Sequence, residues 1–161
     1  MVNNRDGFTL IELVVVIVIL GILAITVAPK FISLQDDANN STLQAVEASM
    51  QSAIAMVYAK SVITGNQNLT AGDGVVVDIN GSDLSIKYGY PRADYSPTSV
   101  KGSWNDLIEL DPNALASTIV GGQFVIYLGE IPTSLNDKCI VSYKQVDLAT
   151  SLPEIKMNDC K

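Results

Sequence analysis

Residues 8–28 read FTLIELVVVIVILGILAITVA, and this stretch decides the fold of the chain. Every position in it is apolar except Thr9, Glu12, Gly21 and Thr26. As an α-helix it is about 31 Å long, which matches a bilayer hydrocarbon core of about 30 Å. Lipid offers the backbone no hydrogen-bonding partner, so such a segment must satisfy its own amides and carbonyls as a helix. The sequence therefore predicts a membrane-spanning helix near the N-terminus.

The residues before this run differ from those of an ordinary secretory signal. Only MVNNRDG precedes it, and Gly7 lies directly against the apolar residues. A signal peptidase would instead require small residues after the apolar stretch. Arg5 is the basic residue ahead of the span, partly offset by Asp6, and it favours a cytoplasmic N-terminus.

Glu12 lies within the predicted span, where a carboxylate costs about 2.5–3.5 kcal/mol on insertion scales. A charge at that cost favours a functional role. The alternative is that Glu12 lies close enough to the interface for its carboxylate to reach water.

The hexapeptide Gly7-Phe8-Thr9-Leu10-Ile11-Glu12 resembles the G-F-T-L-I-E junction of type IV prepilins and the related pseudopilins. The resemblance implies that residues 1–7 form a leader peptide. A prepilin peptidase would cleave it on the cytoplasmic side, between Gly7 and Phe8, and the new N-terminal Phe8 would be N-methylated.

Cleavage would leave a positively charged amine on Phe8. The resemblance implies that Glu12 of an incoming subunit meets the Phe8 amine of its neighbour during assembly. Opposite charges attract strongly in a low-dielectric bundle, and each reduces the burial cost of the other. An unpaired Glu12 in lipid is costly, so we expect assembly to be the state that satisfies it.

Two residues within the helix predict a local weakness or bend. Pro29 has no amide donor, which removes the hydrogen bond to the carbonyl of Ile25, and Gly21 is conformationally permissive. Similarity to pilins implies that the stretch between Gly21 and Pro29 loses helicity in the filament. A static kink is the alternative.

After Pro29 the helix becomes amphipathic. We predict one helix from Phe8 to about Ser61, with residues 8–29 in the membrane and 30–61 packed on a globular head. The stripe that would pack there follows i, i+3, i+4, i+7 spacing and comprises Leu43, Val46, Met50, Ala53, Ile54 and Val57.

Residues 62–161 form the predicted head. It begins with a polar connector, Gly65–Gly74, and the segment Trp104–Ala116 contains a short helix candidate interrupted by Pro112. Asn80-Gly81 is a strong hairpin turn signal. The predicted fold class is α+β, a long helix packed on an antiparallel sheet of about four strands. The strand candidates are Val75–Ile79, Leu84–Tyr90, Phe124–Ile131, Ile140–Val146 and Glu154–Met157.

The two cysteines, Cys139 and Cys160, favour a disulfide over free thiols if this part of the chain leaves the cytoplasm. A disulfide here would stabilise the fold by about 3 kcal/mol in the chain-entropy model. It would match the C-terminal disulfide loop that is common in type IVa pilins.

The composition argues against several function classes. The net charge of −7 disfavours nucleic-acid binding. The chain has no histidine, which removes the commonest general base and metal ligand. We expect no catalytic residues, no metal site and no cofactor.

Residues 28–67, which begin APKFISLQDDANNSTLQ, resemble the mannose-sensitive haemagglutinin (MSHA) class of type IVa pilin. This implies a structural subunit, held in the inner membrane before assembly, that polymerises into an extracellular pilus. The filament would serve cell adhesion, surface attachment and biofilm formation.

Expected partners are other copies of the chain, the prepilin peptidase, the assembly machinery, and surface or host-cell receptors, carbohydrates among them. Two alternatives stay open at this point. One is a minor pilin or type II secretion pseudopilin, and the other is a membrane-anchored enzyme or binding protein.

Overall fold

The computed structural model describes residues 7–70, 75–93 and 104–161, and for residues 28–33 and 105 it describes only the backbone. Residues 1–6 of the predicted leader and 71–74 of the predicted connector lie outside these ranges. The chain divides into two units, Met1–Ala38 and Asn39–Lys161. The predicted α+β class is confirmed, since a long helix and antiparallel sheets are both present.

Helix α1 spans Leu10–Thr64, 55 residues, so the predicted long helix is confirmed and extends three residues further than expected. Its C-terminus is a Schellman motif. Gly65 has φ 74°, its amide donates to the carbonyl of Val62 at 3.2 Å, and the Asn66 amide donates to Ser61 at 3.1 Å. These two bonds satisfy carbonyls that the helix end would otherwise leave open.

The backbone of the first unit is helical through both Gly21 and Pro29. A Cβ atom added at Gly21 would meet nothing within 4 Å, so no contact within the described chain requires a glycine there. The kink or loss of helicity proposed for this stretch stays a prediction.

In the second unit, α1 buries the predicted stripe. Ile54 is half-buried, and the other five residues are 7% exposed or less: Leu43, Val46, Met50, Ala53 and Val57. Their spacing places them on one face of the helix, against side chains from the strands. This part of the prediction is confirmed.

Three strands pair antiparallel as one small sheet in the order β1-β2-β3: β1 Val76–Ile79, β2 Ser82–Lys87 and β3 Tyr90–Pro91. Asn80 and Gly81 connect β1 to β2 with φ angles of 54° and 86°. Positive φ at both positions fits a type I′ turn, so the predicted Asn-Gly hairpin is confirmed.

A second antiparallel sheet has the order β4-β5-β6-β7: β4 Leu115–Val120, β5 Gln123–Leu128, β6 Ile140–Lys144 and β7 Glu154–Asn158. The short helix predicted within Trp104–Ala116 is present as α2, Trp104–Leu107. The end of that segment was not predicted as a strand, but Leu115 and Ala116 begin β4. Strand β4 pairs with β5 across the Gly121-Gly122 turn, and this pairing supplies the backbone hydrogen bonds that a helix would have made.

The inner face of this sheet packs around Trp104, which is 2% exposed. Its indole stacks on Phe124 with ring centroids 5.7 Å apart and meets the edge of Tyr143 at 4.6 Å. The Tyr143 hydroxyl donates to the carbonyl of Pro91 at 2.6 Å, which connects the two sheets. Burial raises the pKa of Tyr143, so the phenol stays a neutral donor.

The outer face of the same sheet carries a smaller buried cluster of Val125, Tyr127 and Ile140. The β5–β6 loop, residues 129–139, contributes Leu135 to cover this cluster. Within the loop, one carboxylate oxygen of Asp137 accepts from the amides of Thr133 at 2.7 Å and Ser134 at 3.0 Å.

Cys139 and Cys160 form a disulfide with their Cα atoms 4.4 Å apart, as the sequence predicted. The Cys160 amide donates to the side-chain oxygen of Asn40 at 2.8 Å. The C-terminal segment is therefore joined by a disulfide to Cys139, directly before β6, and by a hydrogen bond to α1 at Asn40.

Replacing both cysteines by serine should lower the free energy of unfolding by about 3 kcal/mol, because the unfolded chain regains the entropy of an open loop. Chemical denaturation of the oxidised protein and of the double variant measures this. A reductant should destabilise the parent chain and leave the double variant unchanged. Equal stability of the two proteins would contradict the prediction.

The amides of Ser134 and Thr133, in that order of effect, lower the pKa of Asp137 from its model-compound value of 3.8. A carboxylate with a lowered folded-state pKa stabilises the fold above its unfolded-state pKa, and this contribution disappears as pH falls through the folded-state value. We therefore expect the Thr133 and Ser134 amides to stay protected from hydrogen exchange at pH 5 and to lose protection below pH 3.8.

Asp137→Ala should remove this protection at all pH values, whereas Glu130→Ala, an exposed carboxylate in the same loop, should leave it intact. Amide exchange by NMR distinguishes the two. Unchanged protection in Asp137→Ala would show that the carboxylate does not hold the loop.

Candidate functional site

The N-terminus of α1 is closed by a reciprocal pair of hydrogen bonds between Thr9 and Glu12. The Thr9 amide donates to Glu12 Oε2 at 2.9 Å, and the Glu12 amide donates to Thr9 Oγ1 at 3.3 Å. The Thr9 hydroxyl also donates to Glu12 Oε2 at 2.7 Å. Thr9 is thus the N-cap residue and Glu12 the third helical residue of a capping box.

The carboxylate of Glu12 has a partner that the sequence did not lead us to expect, since it accepts two hydrogen bonds from Thr9 within the same chain. The expectation that it lacks an opposite charge before assembly stays a prediction. A hydrogen bond to a charged group is stronger than one between neutral groups, so Thr9 offsets part of the cost that the carboxylate would have in lipid. Hydrogen bonds do not neutralise that charge, and no described lysine or arginine pairs with Glu12.

The helix around this carboxylate is fully exposed within the chain. Residues Leu10–Val27 have a mean hydropathy of 3.1, and none of this window is buried. By length and composition it is the one candidate membrane span among the described residues. The Thr26 hydroxyl donates to the carbonyl of Leu23 at 2.9 Å, so this polar group is satisfied within the helix.

Gly7 and Phe8 directly precede the capping box. Both are exposed, with Phe8 at 80%, so the chain itself does not shield the bond between them. The structure thus places Gly7, Phe8 and Glu12 within one short segment. Cys139 and Cys160 form their separate pair in the head.

Thr9 was not predicted as a functional side chain. Its signal was present, since Thr9-Leu10-Ile11-Glu12 has the T-x-x-E spacing of a capping box directly before an apolar run. Thr9 was counted only as a polar exception in the span. The described residues contain no group of three or more His, Cys, Asp or Glu side chains that could hold a metal.

Residues 2–28 match the family of the prokaryotic N-terminal methylation motif. The chain carries this methylation motif. The matched residues include Gly7, Phe8, Thr9 and Glu12. They also include the whole exposed apolar stretch Leu10–Val27.

Two curated proteins are similar to parts of this chain. The type IV narrow pilus major component PilA5 of Thermus thermophilus is 46% identical over 73 residues, which cover 44% of this chain and 63% of that protein. The prepilin peptidase-dependent protein A of Clostridium perfringens is 32% identical over 77 residues, 46% of this chain and 55% of that protein. The chain thus spans less than two thirds of the length of either relative. No solved structure matches the chain significantly.

Thr9→Val should loosen the first turn of α1, because it removes the cap oxygen and one donor to Glu12. Loss of an N-cap typically costs about 1 kcal/mol, equivalent to about a fivefold increase in opening of that turn. Hydrogen exchange at the Glu12 amide, followed by NMR in detergent micelles, measures this. Thr9→Ser keeps the hydroxyl and should behave like the parent chain. Identical exchange in the Val and Ser variants would contradict a capping role.

Proposed function

We propose that this chain is the precursor of a type IV pilus structural subunit. A prepilin peptidase removes residues 1–7 by cutting between Gly7 and Phe8, and Phe8 is then N-methylated. Residues 8–29 hold the subunit in the inner membrane until it polymerises. The methylation motif and the homology to a type IV pilus major component support this proposal. The relatives' names describe pilus-related proteins, which favours a structural role over an enzymatic one.

The single observation that carries the proposal is an apolar helix that is exposed over its full width and contains one carboxylate. In water, burying each large aliphatic side chain is worth about 1.5–3 kcal/mol, so residues 10–27 require lipid or neighbouring chains. Lipid satisfies these side chains as well as a neighbouring helix does. Apolar surface alone therefore does not drive subunits together within the membrane.

Glu12 supplies the missing driving force. Thr9 gives its carboxylate hydrogen bonds but no opposite charge. After cleavage, the amine of Phe8 on a neighbouring subunit provides that charge, and the ion pair lowers the burial cost of both groups. We infer that Glu12 exchanges a purely hydrogen-bonded state in the membrane for an ion-paired state in the filament.

The assembled filament is extracellular, and we propose that it serves adhesion, surface attachment and biofilm formation. The resemblance of residues 28–67 to the MSHA class supports this finer assignment. Surface or host-cell receptors, including carbohydrates, are then partners of the filament.

Glu12→Leu and Glu12→Gln should insert into the membrane, because both are better tolerated in lipid than a carboxylate. They should accumulate as processed subunits and yield at least about tenfold fewer filaments, since one ion pair of about 1.4 kcal/mol corresponds to a factor of ten. Immunoblots of sheared surface fibres and of membranes measure the two pools.

Glu130→Gln removes an exposed carboxylate from the head and serves as the matched control, with filament yield expected to equal that of the parent chain. Normal piliation of Glu12→Leu would overturn the assembly role of Glu12.

N-terminal sequencing of sheared fibre protein tests processing. The expected result is N-methylated Phe8 followed by TLIEL. Fibres built from the uncleaved chain would refute the proposal, because the Phe8 amine would then be an amide.

A further inference from the structure

A cavity of about 240 Å³ lies on the outer face of the four-stranded sheet. Five of its six lining residues are polar. Four of them stand on strands β5, β6 and β7, on the face of the sheet that lies opposite Trp104, and the β5–β6 loop forms the other wall. The lining residues are Gln123, Leu135, Asn136, Ser142, Glu154 and Lys156.

Two opposite charges line this cavity without pairing. Glu154 and Lys156 are two positions apart on β7, so both project from the same face with Cα atoms about 7 Å apart. Neither forms an ion pair with another described residue. Lys144 lies directly across from Glu154 in the strand register, and it too forms no ion pair with a described residue.

The neutral groups of the cavity provide further hydrogen-bonding capacity. Gln123 and Asn136 each carry an amide with two donors and an acceptor oxygen. Ser142 is 4% exposed, and its hydroxyl donates to the carbonyl of Lys156 at 3.3 Å. The Ser142 oxygen therefore keeps acceptor capacity for a ligand.

The loop wall of the cavity is held in place by several bonds. The side-chain amide of Asn158 donates to the backbone carbonyls of Leu135 at 2.9 Å and Asp137 at 2.8 Å. The carboxylate of Asp137 holds the preceding turn, and the disulfide of Cys139 fixes the end of the loop. A wall fixed in this way loses little conformational entropy when a ligand binds.

We propose that this cavity binds a small zwitterion of the α-amino acid class. The ligand's ammonium group faces Glu154 and its carboxylate faces Lys156, while the amides of Gln123 and Asn136 bind its polar atoms. Glu154 and Lys156 are both exposed, so each contributes to recognition by the ion pair it gains with the ligand. A ligand with only one charge gains only one of these two pairs. This inference does not rest on the proposed pilus function.

Three probes of similar size test the pairing: L-alanine, N-acetyl-L-alanine, which lacks the ammonium group, and L-alaninamide, which lacks the carboxylate. Each is titrated into the full chain in detergent micelles. The side-chain amide NMR signals of Gln123 and Asn136 report binding. L-alanine should bind about two- to fivefold more tightly than either blocked analogue, the effect expected of one ion pair at an exposed side chain.

Two variants assign each charge to its partner. In Glu154→Gln, the preference for L-alanine over N-acetyl-L-alanine should disappear, and in Lys156→Gln the preference over L-alaninamide should disappear. Glu130→Gln and Lys138→Gln alter exposed charges in the adjacent loop and should retain both preferences.

Failure of all three probes to shift the Gln123 and Asn136 signals would overturn the proposal. So would equal binding of the three probes, or a preference that survives removal of its assigned partner.

Discussion

The structure depends on one constraint, that the surface of residues 10–27 cannot remain in water. Eighteen exposed positions of this composition represent tens of kcal/mol of unfavourable hydration, on the order of several times the stability of a typical domain. The helix therefore requires an apolar environment, and every polar group within it has to be satisfied there.

Thr9 and Glu12 show how the chain meets this requirement at its most difficult position. Their capping box satisfies amides at the helix start and at the same time gives the carboxylate two donors. The charge itself is left uncompensated. Any state that brings a cation to Glu12 would therefore be favoured, and this is the basis of the proposed assembly step.

Much of the fold could be predicted because its determinants are local. The buried stripe from Leu43 to Val57 follows from helix geometry, and the Asn80-Gly81 turn needs only two residues. Strand β4 was missed because Ala116, Ser117 and Thr118 carry little apolar pattern, so its state is set by pairing with β5, which sequence spacing does not reveal. The separation into two sheets was likewise not predicted. At the candidate site, Glu12 was singled out because a carboxylate is rare in an apolar run, whereas Thr9 was overlooked although its spacing from Glu12 fits a capping box.

The bond from Asn40 to Cys160 has a practical consequence for anyone who labels this protein. Because the penultimate residue is bonded to α1 at the second residue of the head unit, a tag fused after Lys161 would emerge beside that helix. A bulky tag would therefore crowd the start of the head unit, near Asn40. The Gly121-Gly122 turn is exposed and takes no part in these bonds. An epitope or a fluorophore inserted there should therefore disturb the fold less than a C-terminal tag.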